Sequence, residues 1–447
     1  MRSLLILLLP ISLLLATGCR KQEGKPPAEI VAPKPRAAVK LTLLVVADAP
    51  LAGAAKLLRG EWAERSGGEL EIQESSLQGL LEAEQLAANV VIYPSRHLGT
   101  LVSRGWLRPV RNMVLDDPEF AHSDILPLVR NRSMRYGGKV YALSMGEPPL
   151  LLGWHVSPPG EVNTAVPSTW KKLDEFHPQM LDSSGLEFPL SAELLVRALA
   201  HTSAHRQTAL LFDTETMASR LTEVTFQRSL TELVASRRGS AAEDSADFTM
   251  LTWPTAPVSP HAGLSPEKIQ LLRLPGAEKV FNESRGEWEP AQHSAPLAVL
   301  GFAGRSMSVT RSSRNAASAF KLLAWLGSEG PATQLSRQSR STMWFRKSQT
   351  ERARQWLSEL RLTSEPIDAI TKLLSGSECF LLPRIPGIDE YLRALEETLQ
   401  HTLDEEFDAD ESLRATADQW NEITAKFGMD SQRVAYRRHL GLDDQQK

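Results

Sequence analysis

One pair of histidines in the sequence has the spacing that is typical of metal ligands. His201 and His205 are four residues apart, so on a helix they would lie on one face. No carboxylate or cysteine stands beside them, so we interpret the pair as an exposed helix face and predict no metal or other cofactor. The sequence also contains no Gly-x-Ser-x-Gly, His-Glu-x-x-His, phosphate-loop or dinucleotide-binding glycine motif. These features favour a binding protein over an enzyme.

Cys19 follows an apolar N-terminal segment. Residues 1–18 comprise one basic residue, a leucine-rich run and three small residues that end in Gly18. This pattern predicts a cleaved signal peptide, because the run is too short for a permanent membrane span. Small residues directly before a cysteine resemble the lipobox of bacterial lipoproteins, which implies that Cys19 is acylated and becomes the new N-terminus. The alternatives are ordinary secretion, with Cys19 near the cut by chance, and retention in the cytoplasm.

The segment that follows, residues 19–40, is rich in proline and basic residues after the cysteine. Such a composition is typical of an extended tether. No later apolar run approaches the ~20 residues that span a bilayer, so we expect everything after Cys19 to lie in the periplasm or outside the cell. Similar lipoproteins that stay at the inner membrane carry aspartate after the cysteine. Arg20 stands there, so an outer-membrane location stays open.

Composition limits the classes of function. A chain of 447 residues is long enough for two lobes with cores of their own. Its formal net charge of −4 offers no polycationic surface, which disfavours nucleic-acid binding. Of its two cysteines only Cys379 would remain beyond the lipid anchor, so no internal disulfide is expected.

Buried strands alternate with helices along the chain, which predicts an α/β fold with a parallel sheet. The segments that we interpret as strands are 41–47, which is a continuous apolar run, 70–74, 88–93 and 140–143. Helical periodicity covers 51–66, 96–105, 192–206, 216–236, 316–328 and 388–428, and a helix cap is predicted at 167–170.

The order of several short motifs resembles the family-1 extracellular solute-binding proteins of carbohydrate ABC importers. The resemblance covers most of residues 41–430. The segments that carry it are Gly105-Trp106-Leu107-Arg108-Pro109-Val110, Asp124-Ile125-Leu126-Pro127, Tyr136-Gly137-Gly138-Lys139-Val140-Tyr141-Ala142-Leu143-Ser144, Pro167-Ser168-Thr169-Trp170, Thr249-Met250-Leu251-Thr252-Trp253-Pro254, Leu274-Pro275-Gly276, residues 301–309 and residues 313–326.

The resemblance implies a two-lobed, type II periplasmic-binding-protein-like fold, with a hinge and a ligand cleft between the lobes. We expect residues 41–155 and about 290–345 to form lobe 1. Lobe 2 should comprise 156–289 and about 346–430, and residues 431–447 should form a C-terminal tail.

Sugar sites combine flat aromatic rings with carboxylates and guanidinium groups. Tryptophans on loops are therefore candidate ligand contacts, although packing in a core is an open alternative for each. Polar residues that follow predicted strands are further candidates, because open α/β sheets bind ligands there. The predicted ligand-binding residues are Trp154, Trp253, Trp344, Asp48, Ser75, Ser76, Tyr93, Arg96, Glu147 and Arg305.

The sequence therefore predicts a monomeric, lipid-anchored receptor that captures a sugar, an oligosaccharide or another polar solute and delivers it to ABC permease subunits. The loop after the first strand, Ala47 to Pro50, lacks the aromatic or long polar residue that is frequent there in sugar binders. This departure keeps a second hypothesis open. In it, the chain is a sensor or interaction lipoprotein that kept the fold but lost solute transport.

Overall fold

The computed structural model describes residues 39–155, 167–175, 179–180, 186–238, 247–252, 269–291, 297–339, 341–359, 365–404 and 408–442. The predicted signal peptide, Cys19 and the tether up to residue 38 lie outside the described residues. Within those ranges, no helix combines the length and the apolar character needed to cross a membrane. Residues 39–447 form one compact unit by themselves.

The described strands are short and number from β1 to β15 in chain order. They are β1 (Lys40–Val46), β2 (Glu69–Ser75), β3 (Val90–Pro94), β4 (Arg135–Tyr136), β5 (Lys139–Val140), β6 (Leu143–Ser144), β7 (Leu150–His155), β8 (Gln179–Met180), β9 (Asp247–Thr252), β10 (Ile269–Leu272), β11 (Lys279–Asn282), β12 (Glu287–Pro290), β13 (Ala298–Leu300), β14 (Arg305–Val309) and β15 (Cys379–Leu381).

The described helices likewise number from α1 to α15. They are α1 (Ala49–Leu57), α2 (Arg59–Ser66), α3 (Leu77–Glu82), α4 (Leu98–Ser103), α5 (Asn112–Leu115), α6 (Trp170–Asp174), α7 (Pro189–His201), α8 (Val224–Arg238), α9 (Ala316–Leu326), α10 (Glu329–Ser336), α11 (Gln349–Glu359), α12 (Glu365–Leu374), α13 (Ile388–Leu403), α14 (Ala409–Phe427) and α15 (Met429–Leu440).

The main sheet has the strand order β2-β1-β3-β14-β6. Its first three strands are parallel, as the continuous apolar runs predict, because strands in parallel sheets are covered on both faces. Strand β14 comes from much later in the chain and pairs antiparallel with both β3 and β6. A second sheet has the order β10-β7-β9-β8.

Several helices differ in extent from the prediction. The helix predicted over 51–66 is divided into α1 and α2, and the helix predicted over 388–428 is divided into α13 and α14. Helix α8 begins at Val224, later than the predicted residue 216. The predicted cap is confirmed, since Thr169 Oγ1 accepts a hydrogen bond from the Lys172 amide at 3.4 Å.

Two large hydrophobic cores flank three crossing segments of the chain. In β13, Ala298 and Leu300 enter the first core whereas Val299 enters the second. In β15 and the residue after it, Cys379 and Leu381 enter the first core, whereas Phe380 and Leu382 enter the second. Successive side chains of a strand point to opposite faces, so one short strand can serve both cores.

The third crossing is at the start of β7, where Leu151 enters the first core and its two neighbours enter the second. Helices α11 and α12 contribute Ala353, Ile367 and Leu374 to the first core. We therefore propose to assign helices α11 and α12 to lobe 1, although the sequence predicts them in lobe 2. Helical periodicity predicts a helix but does not indicate which core it will cover.

The segment 431–447, expected to be a tail, contains most of helix α15. Ala435 and Tyr436 of this helix are buried in the second core. Gly441 ends the helix in the left-handed conformation, which glycine adopts without a steric penalty. The C-terminal residues up to Leu440 are thus an ordered part of the fold.

Candidate functional site

Asp48 and Arg305 form an ion pair at the end of the main sheet. Asp48 follows β1 and caps α1 by accepting a hydrogen bond from the Leu51 amide at 3.1 Å. Its other carboxylate oxygen lies 3.0 Å from Nε of Arg305, which begins β14. Arg305 also donates to the carbonyl oxygen of Ala47 at 2.9 Å. The two residues are 257 positions apart in the chain, and the insertion of β14 beside β3 brings them together.

Arg96 lies between two carboxylates that the sequence analysis did not select. Its Nε donates to Asp389 Oδ1 at 2.6 Å, and its Nη2 donates to Glu187 Oε2 at 2.5 Å. His97 Nε2 lies 3.1 Å from the second oxygen of Asp389. Arg96 follows β3, whereas Glu187 precedes α7 and Asp389 lies in the first turn of α13. Acidic residues near helix starts are common, so neither carboxylate stood out in the sequence.

Glu147 is fully enclosed near these charges. Only 1% of the residue is exposed, and its Oε1 accepts a hydrogen bond from Ser95 Oγ at 2.8 Å. Gly304 packs against it so closely that a Cβ at that position would lie 2.7 Å from Oε1. Gly304 also has a φ of +114°, which disfavours any other residue. The glycine before Arg305 therefore makes room for the buried carboxyl group.

Burial and neighbouring charges shift these groups in different directions. Burial raises the pKa of Glu147 to about 7, although the Ser95 hydroxyl and the Arg384 charge oppose the rise. Burial also favours a neutral Asp389, but the adjacent His97 ring and the Arg96 charge outweigh it and hold the pKa of that carboxyl well below its usual range. Asp389 is therefore ionised near neutral pH, whereas the raised pKa of Glu147 favours the neutral form of that carboxyl group more than in water.

The two predicted serines have local roles. Ser76 is exposed, and its Oγ accepts a hydrogen bond from the Gly79 amide at 2.9 Å as the cap of α3. Ser75 ends β2, and its carbonyl oxygen accepts a hydrogen bond from Ala47 beside Asp48. Ser75 thus lies next to the charged cluster, whereas the Ser76 hydroxyl stabilises a helix.

Two of the aromatic candidates, Tyr93 and Trp344, are buried. Tyr93 is fully buried, and its hydroxyl lies 2.8 Å from Ser308 Oγ. Trp344 is 1% exposed, belongs to the first core and donates from Nε1 to Thr371 Oγ1 at 3.2 Å. Trp154 lies within β7. Trp253 lies outside the described residues. In this structure Tyr93 and Trp344 have packing roles and expose no ring face to a ligand.

The histidine pair does not form the exposed helix face that its spacing predicts. Helix α7 ends at His201, and the backbone at Thr202 is extended, so His205 lies beyond the helix. His201 is 3% exposed, and its Nε2 lies 2.8 Å from Glu232 Oε2. Over the described ranges, no group of three or more His, Cys, Asp or Glu residues could hold a metal ion.

The residues brought together are therefore Asp48, Arg305, Arg96 and Glu147, joined by Glu187 and Asp389. Guanidinium groups donate planar pairs of hydrogen bonds, and carboxylates accept them. Such a set can hold a polar, hydroxyl-bearing molecule, in which each hydroxyl both donates and accepts.

Solved structures with similar folds are two-lobed solute-binding proteins. The sugar-binding protein MalE from the phytopathogen Xanthomonas citri has a TM-score of 0.64 and 14% identity, over 87% of this chain and 98% of that chain. An ABC transporter solute-binding protein from Agrobacterium radiobacter K84, in complex with ribitol, has a TM-score of 0.61 and 17% identity, over 87% and 99%. One from Thermotoga lettingae TMO, bound to alpha-D-tagatose, has a TM-score of 0.60 and 14% identity, over 86% and 100%.

No protein-family model and no curated protein sequence matches the chain. At such low identity the structural likeness establishes the fold alone. The two-lobed α/β fold predicted from the sequence is confirmed.

Proposed function

We propose that this two-lobed chain is an extracytoplasmic solute-binding protein that captures a hydroxyl-rich polar solute, such as a sugar or polyol, for an ABC importer. The observation that carries the proposal is the cluster of Asp48, Arg305, Arg96 and Glu147 at the strand ends of the main sheet. In open α/β folds, ligands bind outside the carboxyl ends of the strands.

The chemistry of the cluster supports binding without catalysis. Arg96 and Arg305 are both paired with carboxylates, and Glu147 is held by a serine hydroxyl. Two of the similar structures have sugars or polyols bound, namely tagatose and ribitol, and this supports the same class of ligand here. We further propose that the receptor is monomeric and needs no cofactor.

A specific observation favours a second candidate, a sensor or interaction lipoprotein with no transported solute. The Arg96 guanidinium is already bound by two carboxylates of the chain itself, and the rings of Tyr93 and Trp344 are buried. A cleft that satisfies its own polar groups offers less to a free molecule. The two candidates differ in one measurable property, which is solute binding.

Thermal unfolding of residues 39–447 in the presence of monosaccharides, oligosaccharides and polyols tests the proposal. A ligand at 100 times its Kd stabilises the folded state by about 2.7 kcal/mol, so we expect the Tm to rise with one class of solute. Glu147→Gln keeps the shape of the side chain but removes its charge, and we expect it to weaken that rise. Trp154→Ala and Trp253→Ala test the two tryptophans that remain candidates.

Trp288→Ala is the matched control, because Trp288 lies in the β11–β12 hairpin and packs against Phe281 and His201. It should leave the ligand-induced rise in Tm intact. If no solute raises the Tm of the unsubstituted protein, the transport proposal fails and the sensor candidate takes its place.

The lipid anchor at Cys19 is a separate proposal. It is supported by the signal-peptide pattern of residues 1–18 and by the small residues before Cys19. Cells grown with a labelled fatty acid should incorporate the label into the full chain and not into Cys19→Ser. Equal labelling of both chains would contradict the anchor.

A further inference from the structure

The ion pairs of Arg96 connect parts of the chain that belong to different cores. Arg96 follows β3, whose residues Val90 and Ile92 lie in the first core. Asp389 lies between Ile388 and Tyr391, which are both in the second core. Arg96 and Asp389 are 9% and 11% exposed in their side chains, so this link between the cores is largely shielded from water.

The second carboxylate of the link is more accessible. Glu187 precedes Phe188, a residue of the second core, and its side chain is 50% exposed. Its Oε2 accepts the Nη2 hydrogen bond of Arg96. Arg96 therefore has one buried anionic partner, Asp389, and one partner at the surface, Glu187, both on the second-core side.

Helix α15 makes a second connection between the same two parts. Ala435 and Tyr436 pack in the second core, but the Ala435 carbonyl oxygen also accepts a hydrogen bond from Tyr136 Oη at 2.9 Å. The Gly137 amide donates to the carbonyl oxygen of Arg438 at 3.0 Å. Tyr136 belongs to a cluster on the first-core side that also contains Tyr93 and Leu98.

The backbones of the two parts are also in close contact at Gly99. A Cβ placed there would lie 1.6 Å from the carbonyl oxygen of Arg384, so the segment before α13 lies directly against α4. Thr100 Oγ1 donates to the Ile385 carbonyl oxygen at 3.5 Å in the same contact.

We propose that a clasp of Arg96, Asp389 and Glu187, reinforced by α15, holds the two cores of the chain together. Hinged proteins exchange between states of similar free energy, so the loss of an ion pair that forms in only one of the states shifts their populations. Arg96 also belongs to the charged cluster on which the proposed solute binding rests. The clasp itself does not depend on that function.

Distance measurements between spin labels on the two parts test the clasp without a ligand. Residues 39–447 would carry Leu57→Cys in α1 and Glu397→Cys in α13, which are both exposed positions, whereas native Cys379 is buried. The solute-free protein should give one narrow distance distribution. Asp389→Asn keeps the shape of the side chain but removes its charge, and should add a second population at longer distance.

Asp213→Asn is the matched control, because Asp213 pairs with Arg220 within the second-core part alone. It should leave the distances unchanged. Glu187→Gln, at a half-exposed site, should shift the distance populations in the same direction as Asp389→Asn but by a smaller amount. It provides the test of the clasp if Asp389→Asn fails to fold. The clasp is refuted if the solute-free protein already shows mainly the longer distance. It is refuted equally if neither folded clasp variant changes the distribution.

Discussion

Replacing Arg197 with alanine should lower the free energy of unfolding by about 3–5 kcal/mol, the usual cost of removing one partner from a buried ion pair. Arg197 is fully buried in α7, and its two terminal nitrogens each lie 2.9 Å from an oxygen of Asp174. Its Nε lies 3.1 Å from Oε1 of Glu193, a residue that is also fully buried. The guanidinium additionally lies over the Trp170 ring, 4.3 Å from its centre.

Without Arg197, Glu193 would keep Arg237, at 2.7 Å, as its cationic partner among the described residues. Burial opposes the ionised form of Glu193, but the charges of Arg197 and Arg237 outweigh it and lower the pKa of that carboxyl. Removing one of the two cations should therefore raise the pKa of Glu193. Part of the lost stability should return in acid, where the carboxyl group takes up a proton.

Urea unfolding of residues 39–447 measures the loss directly. Arg197→Met retains most of the side-chain volume, so it separates the missing charge from a simple cavity. Lys171→Ala, which breaks an exposed pair with Glu278, is the control and should cost no more than about 1 kcal/mol. An Arg197→Met protein as stable as the unsubstituted one would show that the buried pair contributes nothing.

Stability should depend on pH through Glu147. Its pKa is about 7 in the folded protein against an ordinary value of 4.5, so the folded state binds the proton more tightly than the unfolded state. This difference in proton binding stabilises the folded state. The stabilisation is fully present below pH 4.5 and is lost as pH rises through about 7. The difference corresponds to about 3 kcal/mol across this window.

Comparison with Glu147→Gln isolates the effect, since other buried groups such as His439 also titrate on unfolding and are common to both proteins. Between pH 4 and pH 8 the unsubstituted protein should lose stability relative to the variant. Glu61→Gln, at an exposed site in α2, should change neither the stability nor its pH dependence. If the free energies of unfolding of the unsubstituted protein and of Glu147→Gln differ by the same amount at every pH in this range, burial does not hold Glu147 in its neutral form.

Local structure was largely predictable from the residues. The run 41–47 gave a strand within one residue of β1, because a continuous apolar segment is stable only when both faces are covered. The capping threonine before α6 was equally clear, because its hydroxyl satisfies an otherwise unpaired helix amide. Helix boundaries were less accurate, as at α8, because polar turn residues preceded its first turn.

Whether an individual side chain is buried or contacts a ligand was harder to predict. Trp344 was selected as a ligand contact because it lies in a predicted loop, yet it is buried in the first core. A loop residue can be covered by helices distant in sequence, and here Thr371 of α12 lies against the indole. The sequence around Trp344 carries no sign of that cover.

The sequence by itself determined the alternation of strands and helices, the two-lobed class of fold and the positions of several polar residues at strand ends. Only the tertiary structure decided which charges meet. Arg96 is 91 positions from Glu187 and 293 from Asp389, and three crossings of the chain bring them together. Short-range sequence patterns indicate which face of a helix or strand is apolar and must be buried. Contacts between two cores depend on how those cores are oriented, a property of the whole chain.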